Sequence, residues 1–305
     1  MTTSVDTVAA GPPGAAGKLQ RVIRNHYNGL VDLYEKLWGE HIHHGYWDPG
    51  QEGTDQRAAQ LRTVSELVAF SGLRPGGRVL DAGCGVGAPA LHLAGELGCH
   101  VEGITLSDGQ VVRATEKALA AGLADRARFR QLDALATDYP DGSFDTVWAL
   151  ESLELMPDKK AFLTEALRVL RPGGTLAVTT WCIRDHAADP EEAQLLRRIC
   201  RDFVVPYMLP LDEYRQVCGD LGYAQVRVAD WSERVRWTWD VDPEVVASLT
   251  SDRQQVLELA RVKGGAVLRL IHVVPLMREA YQRGVLVYGA LRATKPAAGG
   301  GPAAT

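Results

Sequence analysis

Apolar and polar positions follow two regimes along this chain. Val22, Ile23, Leu30, Leu33 and Leu37 make a rough apolar stripe at helical spacing, which predicts a helix over 18–37; a second helix is predicted over 56–70. From Arg78 the pattern changes to short apolar runs separated by longer amphipathic segments. The runs 78–82, 100–105, 127–132, 144–150 and 175–181 read as strands. The segments 89–97, 109–121 and 159–170 read as the intervening helices, the last with Asp158 as its N-cap. Asp189-Pro190-Glu191-Glu192 is a strong helix start, with a capping acid, proline in the first turn and acids near the positive helix end. That helix should run to Phe203, followed by a helix over 211–221 and strands over 224–231 and 286–294. Residues 241–283 read as helical, with Ser251-x-x-Gln254 as a capping box.

Strands alternating with helices predict an α/β fold, a seven-stranded, mostly parallel Rossmann-like sheet with helices on both faces. A helical N-terminal lid and a helical insert before the last strand complete it. Residues 18–294 read as a single domain: a lid over 18–72, a sheet core over 73–182, and substrate-side helices and last strands over 183–294. The Ala-, Gly- and Pro-rich ends, 1–17 and 295–305, read as disordered tails.

Composition narrows the partners. Nearly half the residues are apolar (46%), enough for a sizeable core. The net charge is −5 and no basic run appears, which disfavours a nucleic-acid substrate. The five cysteines form no C-x-x-C pair, and an odd, scattered set in a long chain fits a reducing, cytoplasmic compartment. The first seventeen residues contain no Lys or Arg and no apolar stretch, unlike a signal peptide, and no run is long enough to span a bilayer.

The chemistry centres on Asp81-Ala82-Gly83-Cys84-Gly85-Val86-Gly87, between a strand and a helix. Glycines there allow a sharp turn and close approach of a ligand, and the helix N-terminus adds positive partial charge. Gly83-x-Gly85-x-x-Ala88 also satisfies a dinucleotide fingerprint, so the turn alone leaves NAD open beside other nucleoside ligands. The second strand, however, ends Gly103-Ile104-Thr105 without the acid a dinucleotide ribose would want.

Five motifs in order resemble the class I S-adenosylmethionine (SAM)-dependent methyltransferases. These are residues 79–87; Gly103 to Ser107 with Gln110; Asp133-Ala134; Phe144-Asp145 leading to Leu150-Glu151; and Leu170-Arg171-Pro172-Gly173-Gly174. The resemblance implies that Asp81, Gly83, Gly85 and Gly87 pack against the amino-acid part of SAM. It implies that Thr105, Leu106 and Gln110 contact the ribose, that Asp133 accepts from the adenine amino group with Ala134 beside it, and that Leu150 lines the methionine end. Thr105 stands where many members have an acid. That departure, with 38–47, 151–159 and the ending from Met277 to Gly289, is similar to the γ-tocopherol methyltransferase branch and its bacterial relatives acting on terpenoids, indoles and polyketides. Tyr27 and Asn28 are similar to a family pair that reaches over the SAM carboxylate. Relatives often carry His where Leu155 stands.

The resemblance implies methyl transfer to C, O or N of a small lipophilic molecule in bacterial secondary metabolism. Glu151, at the carboxyl edge of the fourth strand, and one of His41, His43 and His44 are the candidate bases. Tyr46, Trp47 and Trp181 are expected to face the substrate. The spacing of the three histidines matches no zinc site, so no metal is expected; Mg²⁺ would enter only with a diphosphate substrate. A methyltransferase-fold cyclase that keeps SAM as a structural ligand is the rival reading, and an NAD-dependent oxidoreductase the weaker one.

Overall fold

A computed structural model describes residues 15–52, 55–185, 189–240 and 266–297. The strands are β1 (Arg78–Ala82), β2 (His100–Thr105), β3 (Ala127–Gln131), β4 (Phe144–Leu150), β5 (Leu170–Ile183), β6 (Ala224–Asp230) and β7 (Leu286–Thr294). The helices are α1 (Ala15–Trp38), α2 (Gln56–Ser71), α3 (Ala88–Glu96), α4 (Asp108–Ala120), α5 (Lys159–Val169), α6 (Pro190–Phe203), α7 (Leu211–Asp220), α8 (Ser232–Val235) and α9 (Ala266–Gln282).

The strands form one seven-stranded sheet in the order β3-β2-β1-β4-β5-β7-β6. Pairing is parallel except that β7 runs antiparallel to both β5 and β6. Successive side chains of a strand point to opposite faces, and both faces here are covered. In β4, Val147 and Ala149 pack with Phe162, Leu163 and Tyr214 on one side. Trp148 and Leu150 pack with Leu67, Leu93, Ile199 and Ala280 on the other. Burial on both sides is why the central strands read as continuous apolar runs.

Most element starts follow their caps. Asp158 accepts from the Ala161 N–H at 2.8 Å, and Asp189 and Glu192 form a reciprocal capping box on α6. The largest difference lies in β5, which was expected over 175–181 but begins at Leu170 and continues to Ile183. Its extension is held by β7, which pairs Cys182 with Val287 and Ile183 with Leu286. β6 stops one residue early because the Asp230 carboxylate accepts from the Ser232 N–H and starts α8. Two 3₁₀ turns, Leu153–Leu155 and Arg236–Trp239, were not foreseen. The predicted helical insert is described only from Ala266, as α9. Its earlier part with Ser251 and Gln254, and most of both predicted tails, lie outside the described residues.

Candidate active site

A cleft of about 1070 Å³, open to solvent, runs along the carboxyl ends of β1, β2 and β4 under α1. Gly83, at φ +96°, turns the chain out of β1, and its N–H donates to the Ile104 carbonyl at 2.8 Å. A Cβ at Gly83 would stand 2.3 Å from the Ser152 Cβ, so this position accepts nothing larger than glycine. A Cβ at Gly85 would meet nothing within 4 Å; that backbone is open to a ligand. Gly87 and Asp81 do not line the cleft. Gly87 lets β1 and α3 pack against Ala114 and Phe129. Asp81 is buried beneath the turn, where desolvation lifts its carboxyl to about 7, and its Oδ2 has no hydrogen-bond partner among the described residues.

Thr105, Leu106, Gln110, Asp133, Ala134 and Leu150 all line the cleft, as does Tyr27 from α1. Thr105 Oγ1 donates to Gln110 Oε1 at 2.7 Å. Asp133 Oδ1 accepts from the Leu135 N–H at 3.0 Å, while Oδ2 accepts from the Gln20 side-chain amide at 2.6 Å. Gln20, absent from the sequence expectations, thus places an NH₂ group against the carboxylate expected to read an amine. Asn28 does not reach over the cleft. It docks α1 onto the start of α4, donating to Asp108 at 2.7 Å and accepting from Ser107.

A second cavity of about 510 Å³ adjoins the first, and Tyr27, Ile42, His43, Glu151 and Leu155 line both. Trp38, Trp181, Phe203, Val205 and Trp239 make it aromatic and apolar, and Glu154 and His44 add polar groups. No Lys or Arg is among its described lining residues.

Glu151 ties the two cavities together. It sits at φ +51°, just past β4, where a non-glycine residue is strained. Oε1 accepts from the His44 backbone N–H and the Tyr288 hydroxyl, each at 2.7 Å. Oε2 accepts from His44 Nδ1 at 2.8 Å and Trp181 Nε1 at 3.2 Å. Burial works to raise its pKa, but the His44 ring and these donors outweigh it and hold the carboxyl down at about 2.

The three histidines form a chain. Trp239 Nε1–H donates to His44 Nε2 at 2.7 Å, which leaves the His44 proton on Nδ1, facing Glu151. His43 Nδ1 lies 2.9 Å from the His44 carbonyl, an acceptor only, so it carries the proton there and His43 Nε2 accepts from His41 Nδ1 at 3.0 Å. Burial pushes His41 down to about 3 and lowers His43 as well, so both are neutral. From α2, Gln60 donates to the His41 carbonyl and Thr63 Oγ1 to the His44 carbonyl at 2.7 Å, which fixes the loop. Among the described residues no three His, Cys, Asp or Glu side chains converge as a metal set. Cys182 is buried and pushed well up, far from a reactive thiolate.

Tyr46 and Trp47 line neither cavity, contrary to the expectation that they face substrate. Their backbone N–H groups donate to Ala59 and Arg234 carbonyls, and Tyr46 stacks edge-on against Trp231 at 5.5 Å. A Cβ at Gly45 would stand 2.6 Å from the Trp47 ring, so this glycine permits the fold-back that buries Trp47 and half-buries Tyr46. His41 likewise lines neither cavity. Trp181, His43, His44 and Glu151 are brought together around the second cavity. Sequence reasoning missed Glu154, Trp239 and Tyr288. Glu154 and Tyr288 left a signal only as parts of the resembling segments 151–159 and Met277 to Gly289.

Residues 80–178 match the family model described as a methyltransferase domain. The chain is 36% identical to a probable tocopherol O-methyltransferase of Oryza sativa, over 93% of this chain and 80% of the relative. It is 38% identical to the 27-O-demethylrifamycin SV methyltransferase of Amycolatopsis mediterranei, over 77% of this chain and 85% of the relative. Among solved structures it resembles that of the 4+2 cyclase SpnF, with a TM-score of 0.77 and 28% identity over 92% of this chain and 97% of that one.

Proposed function

The chain belongs to the class I SAM-dependent methyltransferases of small molecules, and we propose that its acceptor is a hydroxyl group on a lipophilic specialised metabolite, aromatic or polyketide in kind, of a bacterium. One observation carries this reading: an apolar, aromatic second cavity, adjoining the cofactor cleft, holds two carboxyl side chains and no described cation. An aromatic or polyketide body suits such walls. A diphosphate with Mg²⁺ would want basic groups there. The similarity to a rifamycin methyltransferase supports a place in specialised metabolism. The free cysteines support a reducing cytoplasm.

The cleft fits the cofactor. Gly85 leaves space a Cβ would fill, and Asp133 already accepts an NH₂ group. Asp133 would hold the adenine amino group, Thr105, Leu106 and Gln110 the ribose, and Tyr27, Gly83, Gly85 and Leu150 the methionine end. Bound SAM supplies a methyl group activated by its sulfonium. The residues of the chain then orient the acceptor and keep water out; Trp181, Phe203 and Trp239 are placed to do both.

The test is incubation with methyl-labelled SAM and a panel of lipophilic phenols and macrocyclic alcohols. Label should reach at least one acceptor, and calorimetry should show binding of S-adenosylhomocysteine but not NAD. NAD binding in its place overturns the reading. A second reading, a cyclase that retains SAM unreacted, draws on the likeness to SpnF. Turnover that moves no label, and persists with S-adenosylhomocysteine, would select it.

A further inference from the structure

A hydroxyl acceptor must lose a proton, and the groups nearest the cofactor cleft are poorly free to take it. All four hydrogen bonds at Glu151 come from donors: the His44 N–H, His44 Nδ1, the Tyr288 hydroxyl and Trp181 Nε1. A proton arriving at either oxygen would displace one of them. His44 Nε2 accepts from Trp239, and His43 Nε2 accepts from His41. Leu155 offers no titratable group at all.

Glu154 is placed differently. The 3₁₀ turn Leu153–Leu155 sets its side chain against β5 in the wall of the second cavity. Oε2 accepts from Thr180 Oγ1 at 2.9 Å; among the described residues no other side chain donates to this carboxyl, and the one further donor acting on it is the Glu154 backbone N–H. The nearby ammonium of Lys159 is committed to backbone, donating to the Glu154 and Met156 carbonyls at 3.2 and 3.1 Å.

We propose that Glu154 takes the acceptor's proton, and that Glu151 is a positioning residue that holds the lid. This rests on the methyl-transfer reading above. The hydroxyl O–H bond breaks and its proton passes to Glu154 Oε1. The oxygen's lone pair takes up the methyl group while the carbon–sulfur bonding pair stays on sulfur, and the proton leaves to water after product release. Glu154 suits that task. Burial, with the Glu151 charge behind it, raises its carboxyl to about 8, and its other titratable neighbours, Cys182, Tyr214 and Tyr281, are all pushed toward their neutral forms. A cationic sulfonium alongside would draw the value back toward neutrality, into the range of an effective base.

Glu154→Gln tests this, because the amide oxygen can still accept from Thr180. Carbon-13 NMR of glutamate-labelled protein with S-adenosylhomocysteine should show a carboxyl titrating near pH 8 that is missing in E154Q. On an acceptor from the labelled panel, E154Q should lower kcat by roughly 100-fold or more, flatten its rise with pH, and leave S-adenosylhomocysteine affinity within about twofold. A carboxyl already ionised at pH 6, or a variant within threefold of the parent kcat, overturns the proposal. A panel that accepts no label counts against the methyl-transfer reading instead, and the NMR titration then decides on Glu154 alone.

Discussion

The two walls of the active site are built by different means. The wall we propose for the cofactor is made by short stretches of chain leaving neighbouring strands: the turn at Gly83 and Gly85, the tip of β2, and Asp133-Ala134 after β3. The wall we propose for the acceptor is made by single side chains that meet from far apart, His44, Glu151, Trp181 and Trp239, with Tyr288 bonded to Glu151. Local backbone geometry specifies the first. The second exists only once the lid loop, β4, β5, β7 and the turn after α8 are all in place, and one buried carboxylate ties them together.

The strongest way to break this contrast is at Glu151. Glu151→Gln puts an NH₂ group where only donors converge, so it should cost about 3–5 kcal/mol in urea unfolding, the usual penalty for breaking a buried charged network. The pH dependence carries a sign. The Glu151 carboxyl is held at about 2 in the folded chain against an ordinary 4.5, so its stabilisation is present above about pH 5 and is lost as pH falls toward 2. In E151Q that acid-labile part should vanish. Stability that falls equally in both proteins between pH 5 and pH 3 would show that the acceptor wall hangs on something else.

On the cofactor wall the matching pair is Gly83→Ala and Gly85→Ala. Both glycines sit at positive φ, but only the first would drive a Cβ into Ser152. G83A should lose roughly 2–5 kcal/mol from strain and overpacking together, and G85A only about 1 kcal/mol. G85A should instead weaken S-adenosylhomocysteine binding, since its methyl group points into the cleft. Equal unfolding losses for the two variants would contradict the geometry of the turn.

This difference explains what could be read from sequence. The sheet, its helix caps and the residues expected to hold the cofactor, Thr105, Leu106, Gln110, Asp133, Ala134 and Leu150, lie in local patterns, and all six line the cleft. Gly87 and Asp81 belong to the same motif yet serve packing beneath it, because a motif records spacing and not which atoms face the ligand. The acceptor side was only partly legible. Segment 38–47 stands out in the sequence by its resemblance, but which of its side chains point inward depends on Gly45 folding it back against α2. Trp239 meets His44 across a sequence separation that no local pattern encodes.

Asp133 gives the next smaller effect. Its carboxylate lines the cleft, and a hydrogen bond to a charged group is worth about 1.5–3 kcal/mol. Asp133→Asn should therefore weaken S-adenosylhomocysteine binding roughly 10- to 100-fold by calorimetry, with little change in unfolding stability. A comparable loss of stability would mean that this wall, too, is held by its polar side chains.

The smallest effect tests whether the two walls are linked through the lid. Gln20 on α1 already donates to Asp133 Oδ2 at 2.6 Å, in the place expected for the adenine amino group. On the proposed reading the cofactor displaces that amide, and α1 is also moored to α4 through Asn28 to Asp108 and Lys117 to Glu35. Exchanging one amine-type donor for another recovers most of the bond, so the competition costs only about 0.5–1.5 kcal/mol. Gln20→Ala should tighten S-adenosylhomocysteine binding by roughly two- to tenfold and speed association, because the plug is gone while the mooring remains. The effect should disappear in the Asp133→Asn background if both residues act at one point. Weaker binding in Q20A would reverse the assignment: Gln20 would then stay with Asp133 in the complex and help hold the adenine, making α1 part of the cofactor wall rather than a lid across it.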